Sequence, residues 1–182
     1  MKIDILFLNN EMNGHDEYFD NDLFQEYCET HSFEGKKNQI LSVPPSYSKS
    51  ENLTFIVGLG ENKEDINFYD LGTLIGSKIN SDAEIKFLNN EGDANLIVDG
   101  ILYVQYKFNN YKSDDDTSMN NITFQDIDSS ENEIKKHSVF WVRDLINTPA
   151  LDKSPEEFIN KVNELVDSSG IEVEVYDQKW LE

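Results

Sequence analysis

The chain has 182 residues, a single cysteine, and 36 acidic against 15 basic side chains, a formal net charge of -21 at pH 7. At this length folding hides roughly 70% of the unfolded chain's surface, enough for one ordinary domain without disulfide staples, and one thiol can form no internal bridge, so a reducing cytoplasm is expected. The charge repels nucleic acid and anionic membrane surfaces, and no run approaches the ~20 apolar residues of a membrane span, so neither partner is expected and a soluble, untargeted protein is predicted.

Residues 3 to 8, IDILFL, read as a buried strand stopped by the turn cluster NNEMNG. The acidic stretch 16 to 28 spaces Phe19, Leu23, Phe24 and Tyr27 as a surface helix with one apolar face, and Cys28 on it reads as a half-buried thiol rather than a nucleophile. QILSV (39 to 43) and LTFIVGLG (53 to 60) read as strands, the second a central one. From Glu64 to Ile79 apolar residues recur at helical spacing. Gly72 and Gly76 lie one turn apart, which predicts a helix lying close against a sheet. AEIKFL (83 to 88) predicts another strand, followed by a long helix from Ala94 to Phe108.

Strands alternating with helices predict an α/β fold, a layered mixed sheet flanked by helices. FLNNE occurs twice, at 7 to 11 and 87 to 91, without a longer repeat around it. KSDDDTSMNN (112 to 121) reads as an acidic loop and NITF after it as a short strand. In 130 to 146, Ile134, Ser138, Trp141 and Leu145 line one helical face while Val139, Phe140, Val142 and Ile146 make other faces apolar. Such a helix is expected to be covered on several sides.

Asn147, Thr148 and Pro149 end that helix. Ser154 then serves as an N-cap, Pro155 occupies the first helical position, and Glu157 completes a capping box; Phe158, Val162, Leu165 and Val166 form the expected buried stripe. IEVEVYD (171 to 177) alternates as a strand with one apolar face, and QKWLE follows. A helix and strand alone are half of a crossover unit, and Trp180 and Leu181 add apolar surface that this chain has little left to cover. Residues 1 to 147 are therefore expected to form a complete α/β domain, and residues 148 to 182 a linker and the first helix and strand of a second, truncated one.

WVRDLINTPALDKSPEEF, with GIEVEVYDQKWLE after it, resembles the segment of leucine aminopeptidases (cytosol aminopeptidases) where the N-terminal domain passes into the catalytic domain. FIVGLG (55 to 60) and GILYVQYKFNNYKSDD (100 to 115) are similar to further stretches of that family, so the resemblance runs in pieces from 53 to 182. It implies a macro-domain-like N-terminal domain of a dimetal enzyme that removes N-terminal residues from peptides and assembles as a hexamer. It further implies two divalent metals, zinc or manganese, in the parent catalytic domain, and no cofactor in this chain. The family's metal ligands and catalytic Lys and Arg lie in motifs absent from these 182 residues, so the expected sets of catalytic, cofactor-binding and metal-ligating residues are all empty. Contact with the catalytic domain is expected through Trp141, Arg143, Leu145, Asn147, Pro149 and Trp180.

Gly58 and Gly60 make only part of a dinucleotide-binding glycine pattern, because position 63 is Lys, and a tight strand-to-helix turn explains them. His15, His31 and His137 have no metal-ligand spacing. Asp114, Asp115 and Asp116 lack the pattern of a calcium loop. The alternative function is a stand-alone macro-like module that binds an ADP-ribose-like nucleotide, in the crevice at the carboxyl ends of the strands, or a protein partner.

Overall fold

The structure is a computed structural model that describes residues 1–89, 91–109, 111, 119–167, 169–176 and 178–181, without the side chains of Gln178 and Leu181. Asp114, Asp115 and Asp116 lie outside the described residues. The chain divides into two compact units, 1–140 and 141–182.

The first unit is built on a five-stranded mixed sheet in the order β2-β3-β1-β4-β5, with β1 at Lys2–Leu8, β2 at Ile40–Val43, β3 at Leu53–Gly58, β4 at Ala83–Phe87 and β5 at Ile122–Gln125. β1 lies between parallel β3 and β4, in registers that set Ile5 beside Phe55 and Phe87; β5 joins β4 in parallel, and β2 is the antiparallel edge. Successive side chains of a strand face opposite ways. On β1, Ile3, Ile5 and Phe7 accordingly enter one core with α2 (Phe68–Gly76) and α3 (Ala94–Tyr103), while Leu6 and Leu8 enter another with α1 (Asn21–Thr30).

Local caps decide where these helices begin. Asp20 accepts from the Leu23 amide, so α1 starts later than the apolar spacing predicts and Phe19 is buried just before it. Asn67 accepts from the amides of Tyr69 and Asp70, which shortens the predicted 64–79 helix to α2 and leaves 63–65 as a 3-10 turn. α3 stops short of Gln105, whose side-chain amide is used elsewhere: Nε2 donates to the Gly76 carbonyl at 2.9 Å, and Oε1 accepts from Asn120.

The small residues of α2 face a different neighbour from the one predicted. A Cβ added at Gly72 would overlap the Ile97 carbonyl, one at Gly76 would stand 2.8 Å from the Ile101 carbonyl, and one at Gly100 would overlap that of Tyr69. The glycines bring α2 against α3, not against the sheet. Two helices that share one sheet face must lie side by side, and paired small residues let their backbones meet.

The next helix, α4 (Ser130–Asn147), holds the division between the units. In the first unit Asn132 is its buried anchor, donating from Nδ2 to Asp99 Oδ1 at 2.7 Å and to the Asn95 carbonyl at 3.0 Å, and Phe140 meets Tyr106 edge to face. The expected face at Ile134 and Ser138 is instead exposed, because a pair of amide bonds to α3 orients the helix start.

The second unit comprises the end of α4, a 3-10 turn at Ala150–Asp152, α5 (Pro155–Val166) and a short α6 (Gln178–Leu181). Ser154 caps α5 as predicted, accepting from the Glu157 amide at 3.2 Å. The predicted buried stripe differs: Phe158 and Leu165 are exposed, and no α5 residue is fully buried. Residues 171–176 form no strand, and Ile171, Val173 and Val175 stand exposed. Alternation supplies a strand's two faces, but a ladder needs a neighbouring backbone, and none among the described residues pairs with this segment.

Candidate functional site

The junction after α4 is held by bonds to two carbonyls of its last turn. The Thr148 amide and hydroxyl both donate to the Asp144 carbonyl, at 2.9 and 2.7 Å, and Lys153 Nζ donates to the Leu145 carbonyl at 2.7 Å. At the start of α5, the Glu156 carboxylate lies below the usual carboxylate range because its own backbone N–H and the Ser154 hydroxyl donate to it.

This frame displays an open apolar groove of about 380 Å³ lined by Leu145, Ile146, Lys153, Ser154, Pro155 and Phe158. Ile146 is 69% exposed and Phe158 45%. Of the residues expected at an interdomain contact, Leu145 alone lines the groove. Trp141 and Arg143 are half-buried, Asn147 and Pro149 exposed, and Trp180 is 65% exposed with its ring tilted against Tyr176 at 4.4 Å. Sequence reasoning missed Ile146, Lys153, Ser154, Pro155 and Phe158 as one surface. Ser154, Pro155 and Phe158 carry a visible signal, but it is that of a helix start, and only the turn between the helices brings them to Ile146.

A second concave place lies in the first unit. The chain leaves the carboxyl end of β1 toward α1 on one face of the sheet, and leaves β3 and β4 toward α2 and α3 on the other. Open α/β sheets bind ligands at such a change of side. Here Phe7, Asn9, Asn13, Leu59, Lys63 and Glu91 line a crevice of about 100 Å³, across which Lys63 and Glu91 form an ion pair. Asn89 extends the ladder with its side chain, accepting from the Phe7 amide and donating to the Phe7 carbonyl at 2.9 and 2.8 Å. The loop of residues 35–39 packs against the end of β3: Gly58 admits the Lys36 carbonyl where a Cβ would overlap it, and Gly60 turns at φ +74°. These glycines serve close packing and a turn. A drug-sized ligand occupies roughly 300 to 1,000 Å³, so an ADP-ribose-like nucleotide has no room here.

The remaining reactive side chains are scattered. Cys28 is buried on α1, and burial pushes its thiol up to about 11. His15 stacks on Phe24, His31 on Tyr27, and His137 lies on exposed helix surface 3.9 Å from Glu133. Asp4 is buried on β1, where it accepts from Ser50 Oγ at 2.5 Å and from Asn52 Nδ2 at 3.2 Å. Among the described residues no group of three or more His, Cys, Asp or Glu is placed to hold a metal ion. These residues do not fit a dimetal centre. No helix among the described residues is long and apolar enough to cross a membrane.

No protein-family model matches the sequence. The chain is 26% identical over 183 residues to a probable cytosol aminopeptidase of Clostridium tetani, a match covering 87% of this chain and 37% of that protein. Its fold is shared with a tomato leucine aminopeptidase mutant, with TM-score 0.67 and 13% identity over 92% of this chain and 39% of the other. It is shared also with the bottromycin maturation enzyme BotP in complex with Mn, with TM-score 0.71 and 14% identity over 99% and 39%. The resemblance carried by the junction thus extends across most of the chain. The chain spans little more than a third of the length of the curated relatives it matches.

Proposed function

We propose that this chain is the non-catalytic N-terminal portion, with the opening of the catalytic domain, of a cytoplasmic, metal-dependent leucyl-aminopeptidase-like enzyme that removes N-terminal residues from peptides. The carrying observation is the match over 87% of this chain to 37% of a cytosol aminopeptidase. The exposed apolar side chains of residues 141–182 support it: Ile146, Phe158, Leu165, Ile171 and Val175 are each at least 45% exposed, and clustered exposed apolar side chains commonly mark contact surfaces. The role is structural. Residues 148–182 open the peptidase domain, and Trp141, Arg143, Leu145, Asn147, Pro149 and Trp180 lie at its contact with the N-terminal domain. The zinc or manganese ions and the catalytic side chains belong to the rest of the parent, which assembles as a homo-oligomer, a hexamer by resemblance.

An antibody raised against residues 1–140 is expected to precipitate, from an extract of the source cells, zinc- or manganese-dependent hydrolysis of a leucine anilide. A precipitate that contains this chain and lacks that activity overturns the proposal. The purified 182-residue chain, given either metal, is expected to hydrolyse the anilide no faster than the metal alone; a faster rate would remove the word non-catalytic.

A further inference from the structure

We propose that the crevice at the carboxyl ends of β1, β3 and β4 is a site for the head group of a free zwitterionic amino acid, its carboxylate meeting Lys63 and its ammonium Glu91. Three observations select this ligand class. Lys63 and Glu91 are joined in an ion pair that lines a cleft together with Phe7, Leu59 and the amides Asn9 and Asn13. The pair is partly exposed, the side chains keeping 50% and 34% of their surface. Such a pair contributes about 0 to 1 kcal/mol, so separating it to admit a ligand costs little.

A ligand of one charge pairs with one member and leaves the other to water alone, whereas a zwitterion gives both a charged partner. The net charge of -21 also disfavours a free anion such as phosphate, but leaves an overall neutral zwitterion unrepelled. Size sets the rest. About 100 Å³ holds roughly three waters, enough for an amino-acid head group with its side chain directed to solvent, so the site should distinguish poorly among side chains. The inference uses residues of the first unit alone and is independent of the aminopeptidase proposal: loss of precipitated activity leaves it standing, and absence of amino-acid binding leaves that proposal standing.

The test is a titration of the ¹⁵N-labelled full chain, followed by backbone amide shifts. Glycine and L-leucine are each expected to shift Asn9, Leu59, Lys63 and Glu91, saturating with similar Kd on the order of 1 mM. Acetate and methylamine should each bind at least about tenfold more weakly. Lys63→Met at an exposed position and Glu91→Gln at a half-buried one, both checked for an unchanged spectrum elsewhere, should each weaken glycine about tenfold or more. Shifts that fail to saturate by ~50 mM glycine, well beyond the expected Kd, overturn the proposal. Acetate binding as tightly as glycine, or either variant binding like the wild type, also overturns it.

Discussion

Cys28 and Asp4 show how far a single residue can be interpreted without its neighbours. Cys28 follows Phe24 by one helical turn, so its burial follows from local spacing, and the raised thiol pKa follows from burial. Native protein at pH 8 is therefore expected to react with a thiol reagent at least about tenfold more slowly than protein in denaturant, since the thiolate is the reacting form. With the folded pKa raised, this residue's contribution to stability is intact below the ordinary value of 9.0 and lost as pH rises toward about 11; denaturant midpoints measured across that interval should fall. Asp4 carries no such signal. A charge inside IDILFL reads as an interruption, and its partners Ser50 and Asn52 lie 46 and 48 positions away. Asp4→Ala is expected to cost about 1 to 3 kcal/mol in denaturant unfolding, because it leaves those donors without their acceptor.

The start of α5 was readable for a local reason, since the cap and the amide it serves lie within three residues, whereas α1 and α2 begin later than their apolar spacing predicts. Ser154 is the clear case, and Ser154→Ala should destabilise α5 by about 1 kcal/mol, with Ser154→Asp retaining most of that, as judged by hydrogen exchange of the first-turn amides. Glu156 adds a pH dependence. Its carboxylate is held below the usual range, so its contribution is present above that range and lost as pH falls through the lowered value; first-turn protection in α5 should decline on acidification and decline less in Glu156→Gln. Helix surfaces were less readable than helix starts. The pairing of Gly72 with Ile97 and of Gly100 with Tyr69 links α2 and α3, residues some 25 to 31 positions apart, and spacing alone does not distinguish a helix from a sheet as the close neighbour. Gly100→Ala should cost about 1 to 3 kcal/mol, seen as a Tm lower by roughly 3 to 10 °C, since the overlapping atom is backbone carbonyl rather than a movable side chain.

For the whole molecule, two features of the surface dominate: the charge and the bare apolar area of residues 141–182. With 36 acids against 15 bases, repulsion within the folded chain is relieved by screening, so Tm should rise between about 10 mM and 500 mM sodium chloride, a range over which the Debye length falls from ~30 Å to below ~8 Å. Phe158→Glu and Ile146→Lys are expected to leave Tm within about 1 °C, because both side chains are exposed, and to lower the binding of an apolar dye. A large fall in Tm for either would mean that this surface is already covered.

Composition and local pattern by themselves determined the class of sheet, five strands to within a residue or two, the Ser154 cap and the junction between α4 and α5, because each depends on residues within one or two turns of one another. Tertiary structure alone decided which faces those elements use. The α4 face came from Asn132 reaching Asp99, the close approach of α2 and α3 from glycines on both helices, and the crevice from residues that follow three different strands. The segment 171–176 marks the boundary between the two: its alternation is written in the chain, but a strand exists only where a second backbone accepts its hydrogen bonds.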